Sequence, residues 1–303
     1  EGNHSEKGGV AYYGAVWSNC LFSANSSASG HSVAKPQGFQ NVFIDCIFCD
    51  NRGAGGYGCI DGAVATNCTF VRNSSVDGLG ALVAVKCPDL VGCTFSFNSG
   101  MPSVKESVLR NCTFTGNAGY NENSNDLIMD STLYNCLVAG NVSGNHSMAE
   151  IIGGCDLFNC TVVSNSYQGV AAVCGGCAVN SIIALNYDRG DGFFRDINYS
   201  SVPAMTNSLW ISESGTPPEE GGPEGGGRVD DIRFADPAAG DYSLLRRSPA
   251  RNAGWSDAAY LEALGGADLS GKPRVFTRDG AGIIDVGCYE IDVLNPGLLM
   301  ILR

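Results

Sequence analysis

The sequence predicts an all-β protein: a right-handed parallel β-helix, or solenoid, of about nine or more coils with an irregular C-terminal cap region. Three observations carry that expectation. A seven-residue motif recurs nine times along the chain. Glycine, at 41 of 303 residues, is roughly twice as frequent as usual. Within the motif, inward-type apolar residues alternate with others at the period of a strand.

The copies are Asn19–Asn25, Asp45–Asn51, Asn67–Asn73, Gly92–Asn98, Asn111–Asn117, Asn135–Asn141, Asn159–Asn165 and Asn180–Asn186, with a degenerate ninth from Asn207 to Glu213. Counted at the second residue, they are spaced by 19 to 27 residues, with a mean of 23.5. A period in this range signals stacked repeats. A strand this short cannot bury its face alone, but coils stacked on one another can.

Each column of the motif has a physical reading. The first position is Asn, Asp or Gly in every copy, the residues that accept a left-handed backbone in a tight turn. The second is small: Cys20, Cys46, Cys68, Cys93, Cys112, Cys136 and Cys160, then Ser181 and Ser208. The fourth is apolar: Phe22, Phe48, Phe70, Phe95 and Phe114, then Val138, Val162, Ile183 and Trp210. The seventh is Asn in eight of nine copies and reads as a second stacked turn. Stacking lines these up as Cys, Phe and Asn ladders along the axis of a rod roughly 40 Å long, at the ~4.8 Å spacing of paired strands. An α-solenoid would carry Asn, Gly and β-branched residues at frequencies that helices disfavour.

Phe-x-x-Asn, as in Phe22 to Asn25, Phe48 to Asn51, Phe70 to Asn73, Phe95 to Asn98 and Phe114 to Asn117, with Gly8-Gly9-Val10 and Gly153-Gly154 as a small-residue half, resembles the repeat of polymorphic outer-membrane proteins and related bacterial β-helix surface proteins, some with pectate-lyase-like folds. Asp236-Pro237, Asp241-Tyr242, Ser248-Pro249, Asp268 to Arg274 and Ile284 to Glu290 look like the C-terminal end of many secreted bacterial β-helix proteins. The resemblance implies a fold and a location, extracellular or at a bacterial cell surface, and is nearly silent on activity. The chain starts at Glu1 with neither an initiator Met nor a secretory apolar stretch, so the expectation is that an N-terminal segment is removed.

Residues 1–211 are expected to form the coil array. Residues 212–227, rich in Gly, Pro and Glu, read as a flexible loop. Residues 228–303 read as C-terminal coils or a cap, with a short helix near Asp257–Leu264 and an apolar tail strand, Leu298 to Leu302.

Thirty-one acidic residues against 18 basic ones leave a net charge of −13. That excludes a nucleic-acid-binding surface, which needs a basic face, and would repel a polyuronate substrate. No apolar run is long enough for a membrane-spanning helix. The cysteine column is explained by burial of small hydrophobes; stacked disulfides have poor geometry because neighbouring Cβ vectors run parallel. Cys155 and Cys177, each after Gly-Gly and 22 residues apart, are expected to stack one coil apart. Cys174-Gly-Gly-Cys177 matches C-x-x-C but lies in no βαβ setting, so it reads as turn packing or a local bridge. His4, His31 and His146 have no metal-type spacing, and no G-x-S-x-G or Walker loop is present.

No catalytic residue, cofactor or metal is assigned. A polysaccharide lyase or hydrolase would have to draw on Asp188, Asp191 and Asp196, beside Arg189 and Arg195, or on Glu122, Asp126 and Asp130; neither group matches the pattern of polygalacturonases. Arg189-Gly190-Asp191 is an integrin-type tripeptide of a kind common by chance. Most N-x-Ser/Thr sequons, such as those at Asn25, Asn73 and Asn141, are products of the repeat and read as turn chemistry. A β-helix has two open ends that invite edge pairing. Val10 and Trp17 at one end, and Leu298, Leu299, Ile301 and Leu302 at the other, are the expected assembly residues. The leading expectation is a non-catalytic extracellular structural protein whose subunits stack head-to-tail into a surface fibre. A monomeric adhesin or carbohydrate-binding stalk with a glycan or host-surface ligand is the alternative, and an enzyme the third.

Overall fold

The computed structural model describes residues 1–5, 11, 14–28, 30, 32–34, 39–53, 59–75, 83–100, 103–119, 126–143, 150–169, 171–190, 192–193, 196–197, 204–211, 227–274 and 283–291. Its strands stack into three long parallel sheets of six, nine and ten strands, so the solenoid expected from the repeat is the observed fold. One coil shows the path. The chain runs through Ile60–Asp61 in the six-stranded sheet, Val64–Thr66 in the nine-stranded sheet and Thr69–Val71 in the ten-stranded sheet, then Ser74–Ser75 on a short fourth side.

Register is kept by the apolar column. Phe22, Phe48, Phe70, Phe95, Phe114, Val138, Val162, Ile183 and Trp210 are direct partners in successive strands of the ten-stranded sheet. A slip of one residue would turn this whole column out to solvent. The five phenylalanines stack nearly parallel, with ring centroids 4.5 to 5.0 Å apart, close to the spacing of the strands that carry them. Facing them across the interior are Phe43, Leu90, Leu109, Leu133 and Leu157 of the nine-stranded sheet, and Ile60, Val104, Ile128 and Ile152 of the six-stranded one, all fully buried. Burial of this kind contributes about 25 cal/mol per Å² of apolar surface.

The corners follow one rule. A residue with left-handed backbone turns the chain, and the next residue points its side chain inward. At the corner between the nine- and ten-stranded sheets the left-handed residue is the first motif position in all nine copies, Asn19 through Asn207, with φ from 49° to 62°. At the next corner it is not the asparagine of position seven, as the sequence suggested, but the residue before it: Ala24, Asp50, Arg72, Phe97, Gly116, Gly140, Ser164 and Leu185. Six of these eight carry a Cβ that opposes this conformation, so the fold imposes the turn where local preference does not. The third corner uses Gly62, Lys86, Glu106, Asp130, Gly154 and Gly175. Gly176, also left-handed, is one residue too many in its coil. It sets Cys177 opposite Asp156 and leaves Gly176 against the Cys155 carbonyl, where a Cβ would sit 1.8 Å from the oxygen. The expected stacking of Cys155 on Cys177 is therefore corrected: the inserted glycine shifts the register.

Among the described residues, no strand after Gly227–Arg228 joins the long sheets. The chain makes two small antiparallel pairs, Phe234–Asp236 with Asp241–Leu244 and Gly254–Trp255 with Ile283–Ile284. Between them a helix spans Ala258–Leu264, capped by the Asp257 side chain and ended by left-handed Gly265, as those residue types favour. This segment lies along the side of the rod. Ile232, Phe234, Tyr242, Leu244, Val286 and Cys288 bury the outward residues Leu137, Ala139, Val163, Ile182 and Ala184 of the ten-stranded sheet in a second core.

Candidate functional site: the asparagine column and the docked flank

The seventh motif position builds one continuous polar column inside the rod. The side-chain oxygen of Asn51 accepts from the backbone N–H and the Nδ2 of Asn25, at 3.0 and 2.9 Å. Its own Nδ2 donates to the Phe22 carbonyl and to Asn73 Oδ1. The same pattern passes through Asn73, Asn98, Asn117, Asn141 and Asn165 to Asn186. All are buried, so the column satisfies amide groups that would otherwise cost stability. Asn3 joins at one end, donating to Asn25 Oδ1. At the other end stands Asp196: Oδ1 accepts both donors of Asn186, and Oδ2 accepts the N–H of Ile211. Burial raises its pKa well above the carboxylate range, against the pull of these three donors. The column has a direction, each acceptor facing the preceding coil, and an acidic terminus.

The corner thiols fill an analogous place. Cys46, Cys68, Cys93, Cys112, Cys136 and Cys160 are buried, and Cys20 is half-buried. Cys46, Cys68, Cys112 and Cys136 each donate to the carbonyl two residues back, at 3.2 to 3.4 Å. Cys136 Sγ also accepts the N–H of Cys112, as Ser181 and Ser208 hydroxyls accept those of Cys160 and Ser181. All 14 cysteines are free, including Cys174 and Cys177, so the local bridge is not formed. Burial pushes Cys59 and Cys87 thiols up to about 12, which keeps them protonated and weakly nucleophilic.

The carboxylates singled out in the sequence are placed as follows. Asp196 lies at the column's end. Asp188 is buried in a tight turn, its Oδ1 accepting the Gly190 N–H and its carbonyl the Gly192 N–H. Asp191, Arg195 and Glu122 lie outside the described residues. Arg189 donates to the Ser143 carbonyl at 2.7 Å. Asp126 meets a residue the sequence did not single out, Glu150, at the same corner one coil on: its Oδ1 accepts the Glu150 N–H at 2.9 Å. Burial and the neighbouring Asp126 raise the Glu150 pKa to about 7, and burial raises that of Asp126. Asp130 faces away enough to pair with Lys105 at 3.7 Å.

A second polar cluster ties the flank to the rod. Arg274 is fully buried. Its Nη1 donates to Glu290 at 3.0 Å, and Nη2 donates to the Gly287 carbonyl and to Asn135 Oδ1. Burial raises the pKa of Glu290 to about 8, opposed by the guanidinium beside it. Asn159 donates to the carbonyls of Asp285 and Gly287 and accepts from Tyr260 Oη, while Asn180 exchanges hydrogen bonds with the backbone of Trp255. Nothing periodic marks Arg274 or Glu290, which is why the sequence did not bring them forward. Beside the helix, a groove of about 480 Å³ is lined by Val91, Arg110, Asn111, Ala259, Glu262 and Leu264. Arg110 lies 4.3 Å over the Tyr134 ring, which stacks on Phe158.

His4 Nδ1 lies 2.9 Å from the Ser26 hydroxyl; His31 and His146 are outside the described residues. Among the described residues, no group of three His, Cys, Asp or Glu side chains could hold a metal ion, and no helix is long and apolar enough to cross a membrane. Of the assembly residues, Trp17 is half-buried, edge-on to Phe22 at 5.5 Å. Val10, Leu298, Leu299, Ile301 and Leu302 lie outside the described residues. The sequons at Asn25, Asn73 and Asn141 fall on buried members of the column.

No protein-family model matches the chain, and no curated protein does. Among solved structures the chain is similar to the full-length QnrB1, a plasmid-mediated fluoroquinolone resistance protein, at 13% identity. That match covers 71% of this chain and 94% of the other, with a TM-score of 0.27. A superposition of that quality transfers no activity.

Proposed function

We propose that this protein is a non-catalytic structural rod, displayed outside a bacterial cell, whose coils stack end to end with those of a second copy into a fibre. The observation that supports it is the asparagine column. The buried amides from Asn25 to Asn186 are committed to holding one coil to the next, and the repeat spends its polar residues on axial rigidity. In this reading the corner cysteines form a parallel ladder with the same task.

End-to-end growth is supported by the sheets themselves: Val16–Ser18 and Leu21–Ser23 at one end, and Ala204–Thr206 and Gly227–Arg228 at the other, are last in their strand orders. Unpaired parallel edges of this kind accept a further strand. Growth would run through the two long sheets, because the asparagine column is closed at Asp196. The resemblance of the Phe-x-x-Asn repeat to bacterial surface β-helix proteins supports the location.

Electron microscopy of the untagged protein over a dilution series tests the proposal. Unbranched fibres with an axial repeat near one subunit's length are expected; single rods at every concentration would sink it. A monomeric glycan-binding stalk is the second reading, favoured by the Arg110–Tyr134–Phe158 shelf beside the groove.

A further inference from the structure

The outer face of the ten-stranded sheet is divided. Over its later coils it is covered by the flank, which buries Leu137, Val163 and Ile182. Over its first five coils the outward positions run Leu21/Ser23, Ile47/Cys49, Thr69/Val71, Thr94/Ser96 and Thr113/Thr115. Not one of these ten is charged. Leu21 is 50% exposed and Ile47 45%. An uncharged, flat stretch of strand surface is unusual on an acidic protein, since exposed sheet is normally broken up by charge. The outward positions of the nine-stranded sheet show the contrast, carrying Asp89, Arg110 and Asp156.

The flank also has a direction of travel. Gly287 donates to the Asn180 carbonyl, Cys288 to the Thr161 hydroxyl, and the Glu290 side chain meets Arg274, which holds Asn135. The chain from 287 to 290 thus steps back coil by coil, from the copy at Asn180 to the copy at Asn135, toward the uncovered part of the same face. Residues 292–303, which lie outside the described residues, follow directly. They read Asp-Val-Leu-Asn-Pro-Gly-Leu-Leu-Met-Ile-Leu-Arg, charged only at the two ends.

We infer that the uncharged outer face of the first five coils is the docking surface for the chain's own residues 292–303. Reach is sufficient. Five coils at ~4.8 Å span about 24 Å, whereas twelve extended residues cover about 40 Å. Apolar length matches apolar length, and the occupied stretch continues the second core that the flank has already begun. A second copy of the whole chain suits the face less well. A strip two residues wide and about 24 Å long falls well short of the ~800 Å² per partner of a stable interface.

Cys49, a half-buried free thiol in the middle of this face, is a built-in reporter. The native full-length chain is alkylated with iodoacetamide, and the rate at each cysteine is read by peptide mass mapping. In the full-length double variant Leu299→Asp/Ile301→Asp, alkylation of Cys49 is expected to rise about tenfold. Cys174 and Cys177, far from this face, keep their rates. Ending the chain after Ile291 gives the same rise, and far-UV circular dichroism reports whether each variant keeps its fold. Equal Cys49 rates in the parent and a folded variant overturn the inference. Protection of the parent that fades on dilution also overturns it, because the cover is then supplied by another copy.

Discussion

Replacing Asn98 by Ala isolates what the asparagine column contributes. Asn98 Oδ1 accepts the N–H and the Nδ2 of Asn73, both at 3.0 Å, and its Nδ2 donates to the Phe70 carbonyl and Asn117 Oδ1, both at 2.9 Å. Asn73 is 1% exposed and Asn98 is wholly buried, so water does not replace the lost acceptor without opening the coil. Two donors on Asn73 lose their acceptor, and an unsatisfied buried donor costs ~1–3 kcal/mol. The expected loss is therefore about 2–6 kcal/mol, before any term for the small cavity. Urea unfolding followed by far-UV circular dichroism gives the number, with Thr94→Ala on the outer face as the reference at under ~0.5 kcal/mol. Asn98→Asp adds a check: it keeps the acceptor but sets a carboxylate against the Phe70 carbonyl and Asn117 Oδ1, so it should be no milder than Ala. A loss below about 1 kcal/mol for Asn98→Ala would refute the reasoning, because the column would then be decoration on a rod held by apolar stacking alone.

Two further outcomes follow from the titratable clusters. Arg274→Ala leaves Glu290 buried without its partner, and breaking such a pair costs ~3–5 kcal/mol; the flank should open first, seen as protease cleavage between 232 and 290 while the coils stay intact. Glu150 has its folded pKa raised to about 7 from an ordinary 4.5. The folded state then holds the proton more tightly, so the stabilisation is complete below pH 4.5 and is lost as pH rises through 7. In the parent, the urea midpoint should fall between pH 5 and pH 8 by the equivalent of about 1 kcal/mol, reduced by the partial exposure of the group. Glu150→Gln should flatten that slope.

The parts of the fold legible in the sequence are those that the period constrains. Phe48, Phe70 and Phe95 had to share a column because any other register would expose them, and Asn19 through Asn207 had to turn because they tolerate left-handed backbone. The second corner was misplaced by one residue because its turn falls on Ala24, Arg72, Phe97 and Leu185, types with no preference for it. Only the pairing of neighbouring coils enforces it, and pairing is a tertiary fact. The Cys155 register failed for the opposite reason: one inserted glycine, invisible to an average period, moves every contact after it. Asp196 was read as a possible acid because it sits near Arg189. Its place at the end of the column was hidden because it follows Asn186 by ten residues instead of a full coil.

The same corner rule explains where the flank docks. At the two corners that end in a buried Asn or a buried thiol or hydroxyl, the inward residue satisfies the preceding coil, and the left-handed residue before it is free of that duty. At positions 135, 159 and 180 the left-handed residue is asparagine for backbone reasons, yet it brings an amide that the coil does not need. Those three amides are the ones that receive Arg274, Tyr260 and the backbone of residues 255, 267, 285 and 287. A residue type selected to make a turn thus supplies a row of surplus donors and acceptors on the rod's surface. The flank is held along that row, and a change such as Asn159→Gly should keep the turn while losing the flank.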